Sequence, residues 1–92
     1  MIKLGIVGMG IRGKMYANAI KQSPNAQLVA IAEPVQSTLE QSTVQYNVKG
    51  YKDYKEMIEQ EALDGIIIAT PDFTHCSMVL EAAKRGIHVL VE

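Results

Sequence analysis

The run Lys3-Leu-Gly-Ile-Val-Gly-Met-Gly-Ile-Arg-Gly13 decides how the rest of the chain is read. A short apolar segment ends in Gly8, Gly10 and Gly13, spaced G-x-G-x-x-G, and a helical pattern begins directly behind them. Glycines so placed between a strand and a helix let backbone N–H groups approach a dinucleotide pyrophosphate. Gly8 is expected to make the sharp turn, Gly10 to admit the phosphates and Gly13 to let the helix pack closely. The N–H groups of Ile11, Arg12 and Gly13, helped by the helix dipole, would then face the anion. Read without a ligand, the same spacing describes only a tight strand-to-helix turn.

Working outward, strand-like and helix-like segments alternate to the end of the chain. Ile2 to Val7 has the Ile, Leu and Val content of a strand buried on both faces. A helix is predicted from Ile11 to Gln22, with Ile11, Met15, Ala19 and Gln22 along its apolar face and Ala17 and Ile20 widening it, before Ser23-Pro24-Asn25 breaks the pattern. Ala26 to Ala32 is the second strand and closes at Glu33-Pro34. Residues 36 to 45 read as a polar helix that tertiary packing must hold. Val48 to Tyr51 reads as a third strand, and Asp53 as the N-cap of a helix through Gln60. Ala62 to Ala69 contains the fourth strand, built on three consecutive isoleucines. Thr70-Pro71-Asp72 ends it, and a helix from Asp72 or Thr74 to Arg85 should bury Val79, Leu80, Ala82 and Ala83. Gly86 supplies its C′ position, and Ile87 to Val91 is the fifth strand. The alternation predicts an α/β fold: a doubly wound parallel sheet of about five strands, in a single domain over residues 1–92.

Composition narrows the function. Apolar residues make up 48% of 92 and charged residues 21%, ordinary globular values. A formal charge of −1 without a basic stripe argues against a nucleic-acid partner. No apolar run approaches the roughly 18–20 residues that span a bilayer, so no membrane role is expected. No cationic segment with an apolar stretch behind it precedes the first strand. A cytoplasmic location is therefore expected. Cys76 is the only cysteine, and no metal-ligand spacing, nucleophile elbow or Walker loop is present.

Glu33 stands at the end of the second strand, 20 positions beyond Gly13, where a carboxylate would bind ribose hydroxyls. A carboxylate there repels the 2′-phosphate of NADP, and residues 34 to 38 hold no Lys or Arg to reverse this. NAD is expected over NADP. The bland alternative is a solvated strand-end charge. Arg12 is placed to contact the adenosine or pyrophosphate, or to stand free on the surface. Thr70, Pro71 and Asp72 follow the fourth strand beside the topological switch point, where open α/β sheets place ligands, and also suit a helix cap. His75 lies in the first turn after that loop, facing the cofactor or packing in the fold. His88 and Cys76 read as structural.

Taken together, Gly8-Met-Gly-Ile-Arg-Gly13, Ala69-Thr-Pro-Asp-Phe-Thr-His75 and Gly86-Ile-His-Val-Leu-Val-Glu92 resemble the N-terminal domain of the glucose-fructose oxidoreductase, inositol dehydrogenase and MocA family. The likeness covers essentially the whole chain. It implies an NAD(P)-dependent oxidoreductase acting on CH–OH groups of a sugar, polyol or related substrate. A second, larger α/β domain would bind that substrate and build a homo-oligomer. In the family the fifth strand ends in Glu-Lys-Pro, and the lysine transfers the proton. Glu92 matches the first of these and joins the cofactor-binding set. Asp72 stands where asparagine is frequent, and Tyr16 where histidine is frequent. With substrate domain and lysine lacking, the 92 residues alone are expected to be inactive, as a shortened form of the enzyme. A stand-alone, non-catalytic nucleotide-binding module is the competing expectation, and a related dehydrogenase with the same first domain is a third.

Overall fold

A computed structural model describes residues 1–70 and 75–91. The elements follow in the order β1 (Ile2–Val7), α1 (Ile11–Gln22), β2 (Ala26–Ala32), α2 (Gln36–Tyr46), β3 (Lys49–Tyr51), α3 (Tyr54–Gln60), β4 (Gly65–Ile68), α4 (His75–Lys84) and β5 (His88–Val91). The five strands form one sheet in the order β3-β2-β1-β4-β5, and every pairing is parallel. The chain winds outward from β1 to β3, then crosses back to β4 on the other side of β1. The order therefore reverses between β1 and β4, which opens a crevice at their carboxyl ends.

Alternation along the strands divides the apolar residues between two layers. Ile6, Leu28, Ile31 and Ile67 meet Ala17, Ile20, Leu39 and Tyr46 of α1 and α2 on one face. Val7, Ala30, Ala32, Ile66 and Ile68 meet Met57, Ile58, Met78 and Ala82 of α3 and α4 on the other. The isoleucine triplet of β4 thus serves both layers, which explains why it carries no polar residue. The register of β1 against β2 shifts between Leu4 and Gly5, so that Leu4 pairs with Leu28 and Gly5 with Ala30.

Two helices sit rotated from expectation. Gly13, Ala17 and Ile20 are the buried residues of α1, whereas Ile11 is 89% exposed and Met15 56%. Gly13 is the cause. A β-carbon there would lie 1.9 Å from the Gly8 carbonyl oxygen, so this side of the helix alone can rest on the end of β1. That turns Ile11 and Met15 outward. In α4, Met78 and Ala82 face the sheet and Leu80 is 58% exposed, because residues two apart on a helix point to nearly opposite sides. Ala83 is likewise exposed.

The polar helix α2 has no side-chain cap at its start and is held by packing. Leu39, Ser42 and Tyr46 are buried, and the Tyr46 hydroxyl donates to Asn18 Oδ1 of α1 at 3.1 Å. Asn47 closes α2 in the left-handed region, and Gly86, with φ 72°, closes the turn after α4. Asp53 caps α3 by accepting from the Lys55 N–H at 3.0 Å. Among the described residues no helix is long and apolar enough to cross a membrane, and no group of three or more His, Cys, Asp or Glu could hold a metal ion.

Candidate functional site

The site starts where β1 runs out. Gly8 adopts φ 94°, a conformation costly for any residue with a β-carbon, and its N–H donates to the Ala32 carbonyl at 2.8 Å. The end of β1 is thereby fixed to the end of β2 while the chain turns sharply away. Met9 follows with its side chain fully buried in the α1 layer, and its N–H donates to Glu33 Oε1 at 2.7 Å. Gly10 is the N-cap of α1, with φ −75° and ψ −159°, and no side chain caps the helix. A β-carbon added to Gly10 would meet nothing within 4 Å. Among the described residues the start of α1 is thus uncapped and open at Gly10, with Ile11 and Arg12 exposed on its first turn.

Beside it, Glu33 is only 8% exposed. Its backbone N–H donates to the Tyr51 carbonyl at 2.8 Å, and its Oε2 accepts the Val35 N–H at 3.0 Å. The carboxylate therefore links the loop after β1 to the turn after β2, and it is not a solvated strand-end charge. On the other side of β1, the Ala69 N–H donates to the Val7 carbonyl at 2.9 Å, which carries Thr70 to the same rim. Thr70 stands against Gly8, with Cγ2 2.9 Å from where a Gly8 β-carbon would be, and its hydroxyl donates to Met78 Sδ at 3.9 Å.

Three strand ends, those of β1, β2 and β4, thus deliver Gly8, Glu33 and Thr70 to one edge of the sheet, next to the uncapped start of α1. His75 opens α4. Its side chain, together with Pro71, Asp72 and Glu92, lies outside the described residues. That Met9 and Val35 serve Glu33 is not legible from residue types, because a backbone donor leaves no signature in them. The one available clue was the apolar Met9, whose burial under the loop fixes where its N–H points.

The neighbouring end of β3 holds a separate polar group. The Tyr51 hydroxyl donates to Glu61 Oε2 at 2.5 Å. Burial, then the hydrogen bond to Glu61 and the negative charges of Glu61 and Glu56, push the phenol up to about 12. That hydroxyl is committed to α3 rather than to the rim. Two clefts, of about 470 Å³ beside Met1, Lys21 and Asn47 and about 240 Å³ over β4 and β5, lie away from the glycine loop.

The arrangement supplies backbone N–H donors and a helix dipole for an anion, and an anchored carboxylate for hydroxyl groups. The backbone at Gly10, which carries no β-carbon, suits a phosphate-bearing ligand that must approach it closely. Residues 2–92 match the model of a protein family described as "Oxidoreductase family, NAD-binding Rossmann fold". Among curated proteins, the chain is 33% identical over 90 residues to the rhizopine catabolism protein MocA of Rhizobium meliloti, covering 98% of this chain and 28% of that protein. It is 30% identical to the scyllo-inositol 2-dehydrogenase (NAD(+)) of Bacillus subtilis, covering 99% and 27%. Among solved structures, scyllo-inositol dehydrogenase from Lactobacillus casei, with bound cofactor NAD(H) and scyllo-inositol, superposes with a TM-score of 0.93 at 29% identity, covering 99% of this chain and 27% of that one. The chain spans a little over a quarter of the length of the relatives it matches.

Proposed function

Because the chain belongs to the oxidoreductase family of glucose-fructose oxidoreductases, inositol dehydrogenases and MocA proteins, we propose that its 92 residues hold NAD for a dehydrogenase. The reaction assigned to the whole protein is hydride transfer at a CH–OH group of a sugar, polyol or related substrate. One observation carries the reading. The uncapped start of α1 opens at Gly10, whose absent side chain leaves room for phosphate, and a buried carboxylate stands beside it.

In this reading, N–H groups of Ile11, Arg12 and Gly13 receive the pyrophosphate, with the Arg12 side chain beside it. Glu33 accepts hydrogen bonds from the adenosine ribose. Thr70 stands on the nicotinamide side, and the family likeness assigns Pro71, Asp72, His75 and Glu92 to cofactor binding as well. When bound, the nicotinamide accepts or donates the hydride. The protein's own part is to orient that ring and to exclude cofactors with the wrong charge. Substrate recognition and proton transfer are assigned to the portion of the family's proteins beyond the matched quarter. A cytoplasmic homo-oligomer fits this reading.

NAD is assigned in preference to NADP because Glu33 is held in place by two N–H groups and cannot swing aside from a 2′-phosphate. No Lys or Arg occurs from residue 34 to 38 to offset its charge. The NAD(H) bound in the Lactobacillus casei enzyme supports this choice. Titrating NAD and NADP against the chain and its Glu33→Ala variant tests it. The parent should bind NAD more tightly, and the preference should disappear in the variant. Equal affinities that the substitution leaves unchanged would remove Glu33 from the ribose site.

A further inference from the structure

We infer that Glu33 is a positioning residue for the glycine loop, bracing it through the Met9 N–H in the shape a diphosphate needs before any ligand arrives. The ligand class rests on the reading of this rim as a nucleotide site, whereas the brace belongs to the ligand-free chain.

The geometry is specific. Each carboxylate oxygen accepts one backbone N–H, from Met9 at 2.7 Å and from Val35 at 3.0 Å, and the two donors lie in different connections. Hydrogen bonds to an ionised carboxylate are about twice as strong as neutral ones. The residue on either side of Met9 is a glycine, the type with the most backbone freedom to lose on folding. Gly8 is fixed behind by its bond to Ala32, and α1 is fixed ahead by Gly13 resting on Gly8. Between those anchors, the Met9 N–H is held by Glu33, while the Met9 side chain is clamped from below in the core.

A carboxylate has about four lone-pair positions, and two are used by these N–H groups. One position per oxygen is left, a pair suited to the two hydroxyls of a vicinal diol. The same two bonds prevent the carboxylate from rotating to relieve a nearby phosphate. Glu33 thus shapes the phosphate cradle and reads the sugar with one side chain.

The sign of one measurement separates this role from a pure ribose contact. A carboxylate acting only on ribose would, when removed, leave inorganic pyrophosphate binding unchanged or tighten it, since a nearby negative charge is lost. A brace predicts weaker binding, although Glu33 does not touch the anion.

The test uses amide hydrogen exchange and pyrophosphate titration, both followed by NMR on the 92-residue chain. In Glu33→Ala the Met9 and Val35 amides should exchange roughly 10–100-fold faster, as expected for losing a hydrogen bond to a charged group. The amides of Gly8 and Ala69, bonded to Ala32 and Val7, should stay within about twofold. Glu33→Gln, which keeps one carbonyl oxygen, should restore protection to one of the two. Pyrophosphate should bind Glu33→Ala more weakly than the parent. Unchanged exchange at Met9, tighter pyrophosphate binding, or a uniform acceleration that includes Ile6 and Ile31 would each overturn the inference. A loosened Met9 amide in a chain that never binds NAD would keep the brace and remove the cofactor reading. NAD binding with Met9 undisturbed by Glu33→Ala would do the reverse.

Discussion

Adding one methyl group at Gly13 or at Gly10 should separate the two tasks of the loop. In Gly13→Ala the new carbon would lie 1.9 Å from the Gly8 carbonyl oxygen and 2.9 Å from its carbon, against an ordinary contact of 3.4 Å or more. Both obstacles are backbone, so no side chain can rotate out of the way. Either α1 withdraws by about 1.5 Å or the end of β1 bends and weakens its bond to Ala32. Overpacking typically costs ~1–3 kcal/mol, and a backbone clash places this variant at the upper end. About 3 kcal/mol in a domain of this size lowers Tm by roughly 12–24 °C. At Gly10 the φ of −75° is open to any residue and nothing lies within 4 Å, so Gly10→Ala should change stability by less than about 1 kcal/mol. Its methyl instead occupies the space assigned to phosphate, and NAD affinity should fall by about tenfold or more. Thermal unfolding followed by circular dichroism, with NAD titration by calorimetry, reads both effects. A Gly13→Ala Tm within about 2 °C of the parent would refute the packing argument. Parental NAD affinity in Gly10→Ala would refute the phosphate assignment.

Other outcomes can be stated from single residues. Ser42 Oγ is buried with no hydrogen-bond partner among the described residues, so Ser42→Ala should stabilise the chain by about 1 kcal/mol, seen as a Tm raised by roughly 4–8 °C. Tyr51 has its pKa raised from 10.0 to about 12, so its stabilising contribution is complete below pH 10.0 and lost as pH rises through about 12. Urea unfolding of the parent and Tyr51→Phe should therefore show a stability gap that narrows over that window, and a constant gap would contradict it. Leu90 is 50% exposed on β5, which pairs with β4 alone among the described strands. The 92-residue chain should accordingly self-associate with rising concentration in sedimentation velocity, and Leu90→Lys, a charge placed on the edge, should shift it toward monomer.

The bounds of β1, α1 and β2 could be read to the residue because Gly8, Ser23-Pro24 and Glu33-Pro34 interrupt apolar runs that local chemistry cannot continue. Val48 read as strand, yet its N–H donates to the Thr43 carbonyl at the end of α2, and β3 starts one residue later. Helix rotation was less legible. Apolar spacing pointed to Ile11 and Met15 as the buried face, but it assigns no weight to a glycine, and the contact of Gly13 with Gly8 fixes the rotation. The exposure of Ile11 then belongs with the opening at the loop rather than with the core. Gly8, Glu33 and Thr70 were foreseen as neighbours because each ends a strand at the carboxyl rim. The hydrogen bonds that bury Glu33 were not foreseeable, since they depend on where two peptide N–H groups point.

A helix seated on a carbonyl oxygen has its height above the sheet set by contact between backbone atoms rather than by interdigitated side chains. Deeper residues such as Ile20, Leu28 and Leu39 can then drift in volume over evolutionary time while the mouth keeps its dimensions. Mechanical independence of this kind makes the interior a tolerant target for randomisation. Libraries varied there should lose melting temperature by degrees while their ligand preference holds steady.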